Sequence, residues 1–404
     1  MKTPKPLKTY LLGLFLFSLF FGCKNEVKNK LDILVIDVNP ESSNDIVLSD
    51  IFSKSEYIPL QTDSNTIIGG INSMKIYGEN IFINDGNSIF QFTKKGQFVN
   101  KIGIKGKGPG EFINLKDFRV DTVANILEIL DLNGKKIVYY NLNGRFIEQW
   151  ELGLYAYDYY KISDTRYVFY SGYEQNSNTN FSLNILEKES NKIIKKDFPI
   201  NENMAWYYYL MQARHFVTIK DSLFCFRDPF DTIYYVADNE ILPSRVLSFG
   251  NYKMPLKFIY DRYEDIMEFG DKAEENSYVH HVNHYIENDS YIFFTFRFKY
   301  EKYHVYYNKN ENNIYVGKAI INDLKLNGLN SNADYTNIPE TYDDKAFYYV
   351  IEPYLFLDQL KKIKGKCNSE EWDDYLIKNP DVNKILQTLS LNSNPIIGIY
   401  YIKQ

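Results

Sequence analysis

Ile89-Phe-Gln-Phe92 with Gly96-Gln-Phe-Val99, and after them the glycine-rich Lys101–Phe112 (KIGIKGKGPGEF), is the stretch from which the fold can be read. The first two segments recur. Ile137-Val-Tyr-Tyr140 and Gly144-Arg-Phe-Ile147 stand 48 residues further on, at the same spacing from each other. A strand, a Gly turn and a second strand returning at a period of about 40 to 50 residues mark units that bury their faces only against neighbours, as propeller blades do.

Working outward, the alternation of apolar runs and turn signals divides the chain into six units. Ile67–Gly103 and Phe118–Leu152 are the clearest, with turns at Asp85-Gly-Asn, Lys95-Gly, Asn133-Gly and Asn143-Gly. Tyr157–Pro199 reads as a third unit with a polar tip at Glu174–Asn180, Phe216–Phe249 as a fourth and Val282–Val316 as a fifth. Leu31–Val38 and Ile46–Leu60 read as apolar strands before the first unit; the sixth is expected to use Ala319–Leu324 and Lys345–Pro353, and the apolar Pro395–Ile402 to pair with N-terminal strands and close the ring. Two helical insertions interrupt the strands, at about 254–270 and 355–391. In the first, Leu256, Ile259, Tyr260, Tyr263, Ile266 and Met267 follow a helical period; in the second, Asn379 and Pro380 give a start signal. The expected fold class is all-β, a six-bladed β-propeller over residues 23–404.

The N-terminus bears on compartment. Lys2, Lys5 and Lys8 precede a twelve-residue apolar run, Tyr10–Phe21, that is too short to span a bilayer and closes on Gly22-Cys23. Residues 1–22 are expected to be a leader. Its removal takes the formal charge from −6 to −9, which excludes nucleic acid as an expected partner. Cys225 and Cys367 lie far apart in segments of different type, so no disulfide framework is indicated. No later run has the length of a membrane span.

Several segments invite a chemical reading. Gly106, Gly108 and Gly110 suggest a phosphate cradle, but no Gly-Lys-Ser/Thr follows and Pro109 removes a donor; a tight inter-blade connection accounts for them better, with Lys105, Lys107 and Glu111 bordering any ligand. His280, His281 and His284 match no zinc spacing, so no metal site is expected. Asp131-Leu-Asn-Gly134 and Asn141-Leu-Asn-Gly144 read as hairpin turns rather than calcium loops. The connections into the first strand of each unit should meet at one mouth of the channel. The candidate binding face is therefore Tyr157, Arg119, Trp206, Arg214, His215, His280 and His281, with Tyr157 and Trp206 as stacking rings and Arg119 and Arg214 as anion or hydroxyl contacts. Core packing of a long loop is the competing reading for Trp206–Tyr209.

Gly103–Phe112, preceded by Gly96-Gln-Phe-Val99 and followed by Asp117-Phe-Arg-Val-Asp121, together with Leu48–Leu60, resembles the six-bladed β-propeller lipoproteins of Bacteroidetes, relatives of the NHL-repeat propellers. Gly22-Cys23 is similar to the lipobox of bacterial lipoproteins, with Phe20 and Phe21 where Leu and a small residue are more usual. The resemblance implies lipidation of Cys23 and a lipid-anchored protein of the cell envelope, periplasmic or surface-exposed; without it, Gly22-Cys23 fits an ordinary secretory signal. The family brings no established catalytic residues to carry over, and the cofactor is unknown. The function expected is a non-catalytic binding or scaffolding propeller whose partners are the membrane through its lipid and a glycan, peptide or envelope protein. The alternative is a metal-dependent propeller enzyme, a lactonase, lyase or glycan-active protein, with its site in the central channel.

Overall fold

Short β-rich segments separated by Gly and Asn turns form four-stranded antiparallel meanders, each strand pairing with the next in sequence. The computed structural model describes residues 32–173, 179–210, 214–238, 240–326 and 338–403, without the side chains of Trp206 and of residues 208–210. The leader with Cys23 and most of the polar tip at 174–180 lie outside the described residues.

Six sheets of four or five strands and one two-stranded ladder are present among the described residues. The first sheet is Ser73–Tyr77, Asn80–Asn84, Ile89–Thr93 and Phe98–Ile102; the second is Leu115–Asp121, Ile126–Asp131, Lys136–Asn141 and Phe146–Glu151. The 48-residue recurrence is geometric as well. The register shifts at Gln91/Phe92 and again at Tyr139/Tyr140, and Gly96 and Gly144 sit beside these bulges with φ of 79° and 84°. A Cβ on Gly96 would also lie 2.2 Å from the Pro59 carbonyl oxygen, so this turn must be Gly for two reasons.

The third sheet runs from Asp158–Lys161 to Lys192–Pro199, the fourth from Phe216–Ile219 to Ile241–Ser248, and the fifth from His280–Glu287 to Asn313–Gly317. The sixth is assembled from both ends of the chain: Thr341–Tyr342, Ala346–Ile351, Ile396–Ile402 and finally Phe52–Pro59. Ile396 pairs with Pro59 and Ile402 with Phe52.

The sheets share their apolar faces in sequence. Phe82 and Ile102 of the first pack with Phe118 and Ile129 of the second. Trp150 of the second packs with Tyr159 and Phe169 of the third, and Tyr170 of the third with Phe216 and Cys225 of the fourth. Phe224 of the fourth joins Phe294 and Val305 of the fifth; Phe293 and Tyr306 of the fifth join Phe347 and Tyr400 of the sixth. Ile397 and Tyr348 of the sixth then pack with Met74 and Ile83 of the first. The fold is mostly β and propeller-like.

Four expectations are corrected. Leu34–Asp37 does not join the closing sheet; it adds in parallel to Ile241–Ser248 as a fifth strand, Val35 opposite Val246. Ile320–Ile321 leaves the sixth unit to pair with Ile46–Val47, and Leu48–Ile51 is a helical turn. The first helical insertion is two helices, Leu256–Ile259 and Ile266–Glu275, broken at Asp265, whose carboxylate caps the second by accepting from the amides of Met267 and Glu268. Leu256 and Met267 are consequently exposed, not on a common buried face. The second insertion is three helices, Pro353–Lys364, Ser369–Lys378 and Pro380–Thr388. Asn379 precedes the last one but gives its side-chain amide to the Tyr375 carbonyl, closing the helix before it. No helix among the described residues is long and apolar enough to cross a membrane.

Candidate functional site

The first strand of a sheet ranges from the two residues of Thr341–Tyr342 to the eight of His280–Glu287 and follows the connection from the preceding sheet. In the first three sheets these strands carry charged residues that meet from one sheet to the next. Lys75 of the first sheet donates to Asp117 Oδ1 of the second at 2.5 Å and to the Phe118 carbonyl at 2.6 Å. Arg119 donates to Asp158 Oδ1 of the third at 2.9 Å and lies 3.6 Å from Asp117 Oδ2. Asp158 Oδ2 in turn accepts from the amides of His215 (2.6 Å) and Phe216 (3.0 Å) at the edge of the fourth. One carboxylate thus ties three sheets together.

The electrostatics follow from burial and pairing. Burial opposes the Asp158 carboxylate, but Arg119, Lys75 and the His215 amide outweigh it and hold the group below the usual carboxylate range. Asp117 beside it is pushed up, by burial and by the Asp158 charge, against the pull of Lys75 and Arg119. Burial, with the Arg119 charge, brings Lys75 down to about 8, and burial lifts Tyr77 on the same strand to about 12. Two carboxylates and two cations balance, so the middle of this layer is internally neutralised.

Around that layer stand groups of a different kind. The Lys116 ammonium sits over the Tyr157 ring, 5.5 Å from its centroid, and burial lowers its pKa. The Arg214 guanidinium lies 5.9 Å from the Tyr342 centroid and donates to the Glu340 carbonyl at 2.7 Å. Neither cation forms an ion pair among the described residues. Tyr342 also donates to the Thr218 carbonyl (3.4 Å), so the sixth sheet's first strand reaches the fourth's. His284 is exposed, yet desolvation and the charges of Lys302 and Arg214 bring it down to about 4, as for a side chain lining a crevice. Its backbone, like that of His281, has positive φ (57° and 48°), and the strand carries two register shifts. Successive bulges with left-handed non-Gly residues are costly local geometry of the kind found beside binding sites.

The residues expected from sequence are placed as follows. Arg119, Tyr157 and His215 come together at the second, third and fourth sheets. His215 is buried, its ring stacked 3.8 Å from that of Tyr170 and its Nδ1 3.2 Å from the Phe226 carbonyl, so it supports the wall instead of presenting a nitrogen. Arg214 stands at the same end against the sixth sheet. His280 and His281 are packed against the Ile266–Glu275 helix: His280 Nε2 lies 2.8 Å from Glu274 Oε1, and the two rings hydrogen-bond to each other. The Trp206 side chain and Cys23 lie outside the described residues.

Lys75, Lys116, Asp117, Asp158, Glu340 and Tyr342 were not anticipated. Their signal is a charged or phenolic residue in, or just before, the first strand of the first, second, third and sixth units. The glycine-rich loop is occupied by its own anion: Glu111 Oε2 accepts from the Gly108 amide at 2.7 Å, and a Cβ on Gly106 would fall 2.0 Å from that oxygen. A phosphate has no room there. No group of three or more His, Cys, Asp or Glu able to hold a metal occurs among the described residues.

A family model described as "Domain of unknown function (DUF4934)" matches residues 33–401. No curated protein matches the chain. Among solved structures, a Bacteroides fragilis NCTC 9343 protein described as exported is similar at TM-score 0.69 and 20% identity, over 92% of this chain and 100% of that one. A member of the DUF4221 family from Bacteroides vulgatus ATCC 8482 is similar at TM-score 0.46 and 12% identity, over 87% of this chain and 97% of its own. A virginiamycin B lyase from Staphylococcus aureus, solved as an inactive variant with quinupristin, is similar at TM-score 0.38 and 14% identity, over 70% and 78%. The first of these likenesses concerns the fold alone; the other two carry no argument.

Proposed function

This chain belongs to the DUF4934 family, and for it we propose an exported, lipid-anchored binding propeller: six blades closed into a ring, tethered at Cys23, taking a carboxylate-bearing glycan or peptide at the channel mouth. Support for ring closure is the sharing of apolar faces round all six sheets, the sixth with the first, and the last strand's pairing with Phe52–Pro59. Support for export is the leader-like N-terminus and the description of the similar Bacteroides fragilis protein. The reading of a binding protein rests on one observation above others. The acids and bases of the inner layer, Lys75, Asp117, Arg119 and Asp158, are engaged with one another at contact distance, whereas Lys116 and Arg214 face rings and form no ion pair among the described residues, Asp117 and Asp158 acting on Lys116 and Glu340 on Arg214 only from further away. Two such cations beside aromatic faces suit an anionic ligand with flat apolar surface.

The test starts from arrays of acidic glycans and of peptides with free C-termini. A ligand found there should lose about tenfold or more in affinity with Arg214→Ala and Lys116→Ala, in proteins whose melting curves are unchanged. Full affinity in both variants would remove the mouth as the site. Cys23→Ala should leave the protein in the soluble fraction without lipid label; unchanged detergent partitioning would end the anchoring claim.

A further inference from the structure

A second pocket, separate from the channel mouth, opens where the first helical insertion folds back on the fourth sheet. It has a volume of about 220 Å³ and lies between the loop before Thr232–Val236, the segment around Leu256–Ile259, and the start of the fifth sheet. Phe249, Met254, Ile259, Val279 and Val282 give it buried apolar walls. At its edge Lys253 Nζ meets Asp231 Oδ2 at 2.6 Å, Lys253 half exposed and Asp231 mostly covered. Asp231 Oδ2 is buried against that ammonium, and Oδ1 accepts from the Thr232 hydroxyl at 3.1 Å. The pair therefore places an ammonium and a carboxylate side by side at the edge of an apolar space.

We propose that this pocket binds a free apolar α-amino acid, the ligand's carboxylate meeting Lys253, its ammonium meeting Asp231, and its side chain entering between Met254, Ile259 and Val282. Size and charge select this class. A dry apolar cavity of roughly 150 Å³ holds a benzene ring, so this one takes a phenyl or branched aliphatic side chain together with its backbone atoms. A fatty acid or a peptide C-terminus would use Lys253 and leave Asp231 facing an uncharged group; a peptide N-terminus would do the reverse. Only the zwitterion replaces both halves of the existing pair, which makes the exchange nearly even electrostatically and leaves apolar burial as the driving term. The site shares no residue with the mouth that Lys116 and Arg214 define.

Calorimetric titration of the mature protein with L-phenylalanine and L-leucine tests the inference. Saturable binding is expected, weakened about tenfold or more by N-acetylation of the ligand, by its amidation, and by Lys253→Met. Leu256→Trp, at an exposed position on the lip, should obstruct entry without unfolding the chain; binding of the channel-mouth ligand should be unaffected by either variant. No heat and no saturation with either amino acid up to tens of millimolar would overturn the proposal, since such a site would be weaker than the 1 mM range that corresponds to about 4 kcal/mol. Equal affinity for N-acetylphenylalanine and phenylalanine would overturn it as well, because the zwitterion would then not be what is recognised.

Discussion

Asp158 is nearly fully buried, and its two oxygens collect Arg119 from the second sheet and two amides from the edge of the fourth. Asp158→Asn keeps its shape and removes its charge, leaving Arg119 with an unbalanced buried guanidinium. We expect a loss of about 3 to 5 kcal/mol in urea unfolding at pH 7, the usual cost of breaking a buried pair from one side. Because its folded pKa is depressed, the stability it supplies is present above the unfolded value of about 4 and is lost as pH falls through the folded one. The histidines act at milder pH. His280 is brought down to about 4 and His281 and His304 to about 3, first by burial, then by neighbouring cations such as Arg297 and Lys302. Between about pH 6.5 and pH 4 the unfolded chain binds protons there that the folded chain does not, so stability rises with pH through that window. Each contributes a slope of about 1.4 kcal/mol per pH unit, and His304→Gln should reduce the total by one such share. Urea midpoints that stay flat from pH 6.5 to 5 would contradict this. Little of this layer was legible in sequence, since charged residues scattered through strands such as Leu115–Asp121 and Asp158–Lys161 look like ordinary solvent-facing positions. The partners are also distant: Lys75 and Asp117 are 42 positions apart, Arg119 and Asp158 39.

At the scale of elements, the sequence carried strands better than helices. The recurrent Gly at 96 and 144 and the apolar runs around it mark hairpins that need only local pairing, and each appears with its bulge. The helical period from Leu256 to Met267 misled because a period counts positions and not breaks. Asp265 is a stronger start signal than the residues before it, and it resets the register so that Phe269 and Ala273 become the buried face. Ile320–Ile321 went elsewhere because a two-residue strand is placed by its partner, Ile46–Val47, which propensity cannot name. Ile396–Ile402 was legible as an apolar strand, and its place between Ala346–Ile351 and Phe52–Pro59 makes it central. Deleting 396–404 exposes both neighbours' edges and removes Ile396 and Ile397, which are fully buried. The expected result is loss of the cooperative thermal transition seen by circular dichroism; an unaltered melting curve would show that the sixth sheet does not depend on it.

For the molecule as a whole, closure by strands from both ends is what would hold the strand starts in a common mouth: Phe52–Pro59 and Ile396–Ile402 meet across more than 300 residues. The mouth then gathers residues that lie apart in sequence, Lys116 with Tyr157 and Arg214 with Glu340 and Tyr342. The order of the units was readable from the period; that Tyr157, Arg119, Arg214 and His215 form one binding face belongs to the proposal. Which of them pair across sheets was not readable, because that depends on partners distant in sequence, as with Arg119 and Asp158. The measurement that bears most directly on the account is hydrogen–deuterium exchange of the mature protein with and without an array-derived anionic ligand. Slowed exchange is expected in segments 113–119, 155–160, 214–219 and 340–342, with the outer strands Phe98–Ile102, Phe146–Glu151 and Asn313–Gly317 unchanged. Protection confined to those outer strands, with the four mouth segments unaffected, would contradict it.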